Sequence, residues 1–282
     1  MVVDQQHFAP EDYQVFRNFL SQACGIVLGD GKQYLVVNRI RRILEEQGLT
    51  SLSGLVALIQ RNEVPRLKER VIDAMTTNET SWFRDGAPFD ALRDILLPRL
   101  VIEQRRMNLR IWSAACSSGQ EPYSISMVVE EFKSRHPGMA HFNPEILATD
   151  ISTAVLTTAR EAEYDRLGMG RGLSEQRRQQ FFEELPDGRY RLKPHVTQRV
   201  TFRQLNLLDS FGGLGRFDIV FCRNVLIYFS AERKLDILRR IHATFNPSSC
   251  LLLGASESLP AALSDQYLLE RLTASTSVYF TG

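Results

Sequence analysis

From Asp12 to Cys24, apolar side chains recur at Val15, Phe16, Phe19, Leu20 and Ala23. These three- and four-residue spacings put one apolar stripe along an α-helix. Gly29-Asp30-Gly31 breaks the pattern as a turn, and a second helix is predicted over Lys32 to Gln47. Its core face is Val36, Ile40, Ile43 and Leu44, and Gly48 supplies the stop. Leu52 to Gln60 and Leu67 to Met75 predict two shorter helices. No strand alternation interrupts them, so residues 1–75 read as a small all-α domain.

The pattern changes after Leu100. Leu109–Ser113, Pro144–Asp150, Phe217–Cys222 and Leu251–Gly254 read as short buried strands. Pro122–Phe132, Thr153–Arg160 and Ala231–Phe245 read as the helices between them. Such alternation predicts an α/β fold with a mostly parallel sheet and helices on both faces. Tyr267–Glu270 and Ser277–Phe280 have no helix-length connection and predict an antiparallel pair at one edge. Residues 161–200 interrupt the alternation: a helix over Gln176–Phe182, a Leu185-Pro186-Asp187-Gly188 turn, Tyr190-Arg191-Leu192 and then Val200-Thr201-Phe202. This segment reads as an inserted β-subdomain within a domain spanning 76–282.

Composition narrows the class. The chain has 282 residues, 44% hydrophobic and 24% charged, as in ordinary globular domains. Its net charge of +1 argues against a protein that coats nucleic acid through global charge. The basic side is almost all arginine, 29 Arg to 5 Lys. Arginine suits bidentate contacts with anions, but genomic base composition also enriches it, and composition alone leaves both open. No apolar run reaches membrane-spanning length, and the first residues, MVVDQQHFAPEDY, lack the pattern of a secretory leader. Cys24, Cys116, Cys222 and Cys250 are far apart with no C-x-x-C spacing, so free thiols in a reducing cytosol are expected and no metal site.

Candidate chemistry lies at the carboxyl ends of the strands, where open α/β sheets bind ligands. The first strand runs into Ala114-Ala115-Cys116-Ser117-Ser118-Gly119-Gln120-Glu121, small residues that let the backbone approach a flat ligand. It is not G-x-G-x-x-G, which counts against a dinucleotide; a plain capped turn also accounts for it. Asp150 ends the second strand and suits the two hydroxyls of a ribose, or equally the N-cap of the following helix. Asn206-Leu207 could bracket an adenine, and Arg223-Asn224 ends a later strand where an amide can face an amino acid's carboxylate and ammonium. Small residues, an acid and an Asn in that order suit S-adenosylmethionine.

Four longer segments sharpen this. Thr76-Thr77-Asn78-Glu79-Thr80-Ser81-Trp82-Phe83-Arg84-Asp85 resembles the signature of the chemotaxis receptor glutamate methyltransferases, the CheR family. Trp112–Ser124 is similar to that family's cofactor loop, Phe217–Phe229 to its late motif, and Gly254–Leu259 to its C-terminal block. The resemblance runs from about Phe8 to Phe280. It implies a class I S-adenosylmethionine-dependent methyltransferase sheet with an all-α N-terminal domain and an inserted β-subdomain. It implies that Asn78, Thr80 and Arg84 border the cofactor, with Arg84 facing its carboxylate or the incoming glutamate. Glu121 is implied to bind the methionine ammonium, Asp150 the ribose, and Asn206 and Leu207 the adenine. Arg223 and Asn224 are implied to close the methionyl side, with Tyr228 near the transferred methyl. The sequence departs from the family pattern at Trp82, Ser118 and Gln120, where Phe, Thr and an acid are more usual.

The implied reaction is methyl esterification of glutamates on the cytoplasmic region of a chemoreceptor, with S-adenosylhomocysteine as the product. A carboxylate is ionised at neutral pH, so a direct displacement without a general base is expected. Lys32, Arg39 and Arg42 fall within about 100° of one another on a helical wheel. In the family that face approaches the acidic receptor helix, while a solvated face fits the same pattern. The turn at Leu185–Gly188 is shorter than in relatives that bind a receptor tail peptide by strand addition, so no tail binding is expected. A cytoplasmic monomer recruited to receptor arrays through its substrate completes the expectation. A methyltransferase of small molecules or RNA, and a silent S-adenosylmethionine sensor, are the alternatives that the Thr76–Asp85 signature and the intact Glu121, Asp150, Asn224 and Tyr228 set disfavour.

Overall fold

The computed structural model describes residues 8–273 and 276–282; residues 1–7, on which part of the leader expectation rests, lie outside the described residues. The amino-terminal part consists of α1 (Pro10–Cys24), α2 (Gln33–Glu46), α3 (Leu52–Arg61) and α4 (Leu67–Met75). The periodic apolar positions close onto one another: Phe16, Leu20, Val36, Ile40, Leu52, Leu55 and Val71 share one buried cluster. Ser51 caps α3 by accepting from Gly54 N, and Gly25 ends α1 in the left-handed conformation with φ 77°.

The expected α/β organisation follows. Strands β1 (Arg110–Ala114), β2 (Glu145–Asp150), β3 (Glu163–Tyr164), β4 (Phe182–Glu184), β5 (Tyr190–Leu192), β6 (Val200–Gln204), β7 (Phe217–Cys222), β8 (Phe245–Leu253), β9 (Tyr267–Thr273) and β10 (Thr276–Thr281) form two sheets. The larger has the order β6-β2-β1-β7-β8-β10-β9, and the smaller β3-β5-β4. In the larger sheet β1 pairs in parallel with both β2 and β7, and the β9–β10 pair forms the antiparallel edge. One face packs Trp82, Phe89, Ile125, Val128 and Phe221; the other packs Trp112, Phe217, Ile237 and Leu251. Among the described residues no helix is long and apolar enough to cross a membrane, and all four cysteines are buried free thiols.

Two expectations are corrected. Val200-Thr201-Phe202, read with the insertion, belongs to β6, which pairs in parallel with β2 over Ile146–Asp150. The sequence reading assigns no element between Met75 and Leu100, whereas the chain is helical over Ala87–Ala91 and continues, wound wide, through Leu92–Leu96 and Pro98–Glu103. The Leu97 N–H bonds Leu92 O, five residues back, and Pro98 has no N–H to offer; both obscure an ordinary 3.6-residue pattern.

The insertion is anchored rather than appended. Tyr164, Phe181, Phe182, Tyr190 and Leu192 join the core on the Trp82 side of the main sheet. Trp82 is fully buried, meets Tyr164 and Phe182 edge-on, and its Nε1 donates to Gly168 O at 2.8 Å. Trp82 therefore ties the Thr76–Asp85 segment to the smaller sheet.

Candidate active site

The strand order reverses at β1, with β2 and β6 on one side and β7 and β8 on the other. A crevice at that point is the expected ligand position in an open α/β sheet. A cavity of about 350 Å³ lies there, walled by the ends of β1, β2 and β7, by Thr76–Arg84 and by the α1–α2 connection. Asn78, Thr80, Arg84, Glu121, Asp150, Asn206, Leu207, Arg223, Asn224 and Tyr228 all line it, as do Lys32 and Arg39.

The floor is the loop after β1. Ala115 and Ser117 take left-handed backbone angles, φ 70° and 49°, a conformation that side chains disfavour and that the surroundings must hold. Cys116 N donates to Thr149 O at 2.8 Å, and Ser117 N to Asp150 Oδ2 at 2.8 Å. Asp150 Oδ1 accepts from Ser152 N at 3.0 Å, and Ser152, not Asp150, caps the helix over Thr153–Glu161. Burial pushes the Asp150 carboxyl above its usual range, while the Ser152 and Ser117 amides pull it back.

Glu121 enters the cavity from the first turn of the helix over Gln120–Arg135. Its Oε1 accepts from Ser113 Oγ at 2.8 Å and its Oε2 faces Arg223 Nη1 at 3.0 Å. Burial raises its pKa, and the Arg223 charge and the Ser113 hydroxyl oppose that rise. The Arg223 side chain is 1% exposed. It also donates to Asp85 Oδ2 at 2.6 Å and to Arg84 O at 2.8 Å, and its guanidinium lies 5.6 Å from the Phe89 ring centre. Arg223 thus joins the end of β7 to the signature loop and to Glu121.

The signature loop is held from several sides. Arg39 Nη1 donates to Met75 O at 2.8 Å and Thr76 O at 3.1 Å, and its Nη2 to Thr77 Oγ1 at 3.2 Å. Ser117 Oγ donates to Asn78 O at 2.9 Å, and Arg84 Nη1 to Glu79 O at 3.1 Å. Arg171 from the insertion pairs with Glu79 at 2.9 Å. The α-helical domain closes the remaining wall. Val27 N donates to Tyr228 O at 3.1 Å, and Asn206 Nδ2 to Ala23 O at 2.8 Å. A Cβ on Gly25 would stand 2.3 Å from the Phe229 ring, so the two domains meet closely there.

These contacts redraw two expectations. The Asn206 amide donates to Ala23 O across the domains and accepts Leu208 N at 3.0 Å within its own loop, so part of its hydrogen-bonding capacity is taken up inside the protein rather than facing a base. Lys32, Arg39 and Arg42 do not act as one basic face. Lys32 and Arg39 line the cavity, Arg39 is engaged with backbone carbonyls, and Arg42 lies outside it, 89% exposed and paired with Glu46 at 2.9 Å. Sequence reasoning missed Asp85 and Glu257. Asp85 was legible only as the last residue of the signature, and Glu257 only as the acid of the Gly254–Leu259 block that follows β8, with no role attached.

The residues present fit S-adenosylmethionine. The volume lies within the usual range for small-ligand sites, about 300–1,000 Å³, and two buried carboxylates, one in the first turn of the helix after β1 and one at the end of β2, suit an ammonium and a ribose. Comparison with known proteins agrees. The chain matches the family described as CheR methyltransferase, SAM binding domain, over residues 78–275, and CheR methyltransferase, all-alpha domain, over residues 11–76. It is 55% identical over 251 residues to chemotaxis protein methyltransferase 1 of Pseudomonas aeruginosa, covering 89% of this chain and 91% of that one. It is 52% identical to chemotaxis protein methyltransferase Cher2 of Pseudomonas putida, covering 91% and 93%. It is 48% identical to the chemotaxis protein methyltransferase of Vibrio parahaemolyticus, covering 93% and 94%.

Proposed function

Because the chain belongs to the CheR methyltransferase family, we propose that it esterifies glutamate side chains on the cytoplasmic region of a chemoreceptor. The observation that carries this reading is one cavity lined by Glu121, Asp150, Arg84 and Tyr228. S-adenosylmethionine, when bound, supplies a methyl group activated on a sulfonium. Glu121 takes its ammonium and Asp150 its ribose; Leu207 and the loop around Asn206 take the adenine. Asn78, Thr80, Arg84 and Asn224 border the methionyl end, with Arg223 behind them holding Glu121 in place.

The substrate glutamate arrives ionised, so no residue need remove a proton. The protein's work is alignment. The Tyr228 hydroxyl and the Arg84 guanidinium orient the incoming carboxylate in line with the S–CH₃ axis, and the α-helical domain excludes water from the closed wall. Such orientation can supply about 7–11 kcal/mol of the barrier reduction. Opposite charges are partly cancelled as the methyl moves, so a dry site favours the transition state over the separated ions. Lys32 at the cavity rim and the exposed Arg42 beyond it each offer positive charge to an acidic receptor helix. The division into residues 1–75 and 76–282, with the insertion running from 161 up to the start of β6, then separates receptor approach from cofactor binding, and the short Leu185–Gly188 turn gives no platform for a receptor tail. The enzyme works as a cytoplasmic monomer drawn to receptor arrays by its substrate.

The test is incubation with labelled methyl donor and a receptor cytoplasmic fragment. Label released as methanol by mild base supports esterification. Base-stable label, or label on a small molecule or RNA alone, rejects it.

A further inference from the structure

Glu257 is held in an arrangement that the reaction as described does not use. Its Oε2 accepts from Asn224 N at 2.7 Å and Gly254 N at 2.8 Å. Its Oε1 accepts from Val225 N at 2.9 Å and Leu226 N at 2.7 Å. Three successive backbone N–H groups and a fourth from the end of β8 thus converge on one carboxylate, as they do in backbone anion nests. The Gly254 position shows how close the fit is. A Cβ there would stand 2.6 Å from Glu257 Oε2 and 2.9 Å from Asn224 N, closer than real side chains approach.

The turn so gripped is a strained one. Asn224 has φ 57°, left-handed for a residue with a side chain, directly after the buried Arg223. The turn leads straight into the cavity wall: Tyr228 N donates to Val225 O at 3.2 Å, and Tyr228 O accepts Val27 N. Asn224 and Tyr228 therefore take their places from the backbone that Glu257 holds. We propose that Glu257 is a positioning residue for methyl transfer, its carboxylate fixing the Asn224–Leu226 turn so that Asn224 and Tyr228 face the reacting groups. This rests on the methyl transfer read above and adds a residue to it.

Charge and shape are both needed. Glutamine would offer one acceptor oxygen and turn an NH₂ toward amides that are themselves donors. The test compares Glu257→Gln and Glu257→Asp with the wild-type protein, measuring methyl transfer to a receptor fragment and amide hydrogen exchange. Glu257→Gln is expected to lower kcat at least about tenfold and leave the receptor KM within about twofold. The amides of Asn224, Val225 and Leu226 should exchange at least about tenfold faster while those of β1 and β7 keep their protection. Glu257→Asp, which keeps the charge on a shorter arm, should recover part of kcat. Wild-type kcat in a folded Glu257→Gln protein overturns the proposal, and so does equal loss of protection throughout the sheet. Should Glu257→Gln not fold, a folded Glu257→Asp protein with wild-type kcat and exchange overturns it. A wild-type protein that methylates no receptor rejects the substrate reading instead, and the exchange pattern still decides the role of Glu257.

Discussion

Replacing Arg223 by methionine tests whether the cavity is built around a compensated buried charge. Arg223 is 1% exposed at its side chain, and its partner Glu121 is 14% exposed. Methionine keeps much of the volume but leaves Glu121 with only the Ser113 hydroxyl. Removing one partner of a buried ion pair costs about 3–5 kcal/mol, because the other charge stays buried. The Asp85 contact adds little, since that carboxylate is 40% exposed. For a chain of this size, each kcal/mol moves Tm by about 2–4 °C, so a drop of about 6–20 °C is expected. The pH dependence gives the sign. Burial already holds the Glu121 pKa above its usual value, and loss of Arg223 raises it further. A carboxyl with a raised folded-state pKa costs stability progressively as pH rises from its ordinary value to the raised one, and the full cost is present above that. The deficit of Arg223→Met should therefore be largest near neutrality and shrink as pH falls and Glu121 protonates. Urea unfolding followed by circular dichroism at several pH values, alone and in a Glu121→Gln background, measures it. A deficit below about 1 kcal/mol, or one indifferent to both pH and the Glu121→Gln change, refutes the reasoning.

Four further outcomes follow from the site. Tyr228→Phe should lower kcat with little change in S-adenosylhomocysteine affinity by calorimetry; an unchanged kcat removes Tyr228 from the reaction. Gly25→Ala places a Cβ at φ 77° against the Phe229 ring, so it should destabilise by at least about 1–2 kcal/mol in thermal unfolding and weaken cofactor binding by spreading the domain contact. Charge reversal at exposed Arg42 should raise the receptor KM while changing stability by less than about 1 kcal/mol; the same change at Arg39 should also impair cofactor binding, because Arg39 holds Met75, Thr76 and Thr77. Burial raises the pKa values of Glu121 and Asp150, so cofactor affinity should decline with falling pH above the ordinary carboxylate range, and calorimetry across pH should show proton release on binding below neutrality.

The periodic apolar positions carry most of the fold because they report what each element buries. Val36, Ile40, Ile43 and Leu44 were legible as one face, and they are buried together. The helix through Leu92–Glu103 was not legible, since five-residue hydrogen bonding displaces the stripe that a 3.6-residue period would show. At the site, motif residues were legible as residue types but not as partners. Asn206 has the amide that an adenine edge wants, yet the fold brings Ala23 to it from 183 residues away. Glu257 looks like any acid after a strand until β8 and the turn after β7 are placed side by side.

The arginine excess has the same explanation. A guanidinium is informative about partners only once it is known whether its five donors face inward or outward. Arg199 and Arg223 are almost wholly buried, and Arg93 and Arg177 converge on the single carboxylate of Glu131. Burial pushes the Glu131 pKa upward, but the hydrogen bonds and charges of Arg177 and Arg93 outweigh it and hold the carboxyl below its usual range. Arg177 also lies 3.6 Å over the Phe83 ring, tying the insertion to the signature loop. A lysine offers a point charge in place of a flat fork, so it could not make the stacked and multiply bonded contacts of Arg177 or Arg223 together. Many of the 29 arginines are thus structural parts that bind this chain's own acids, and with 33 Asp and Glu against 34 Lys and Arg the molecule is near neutrality. If the proposed receptor approach at Lys32 and Arg42 is right, single charge reversals there should matter more than the overall charge.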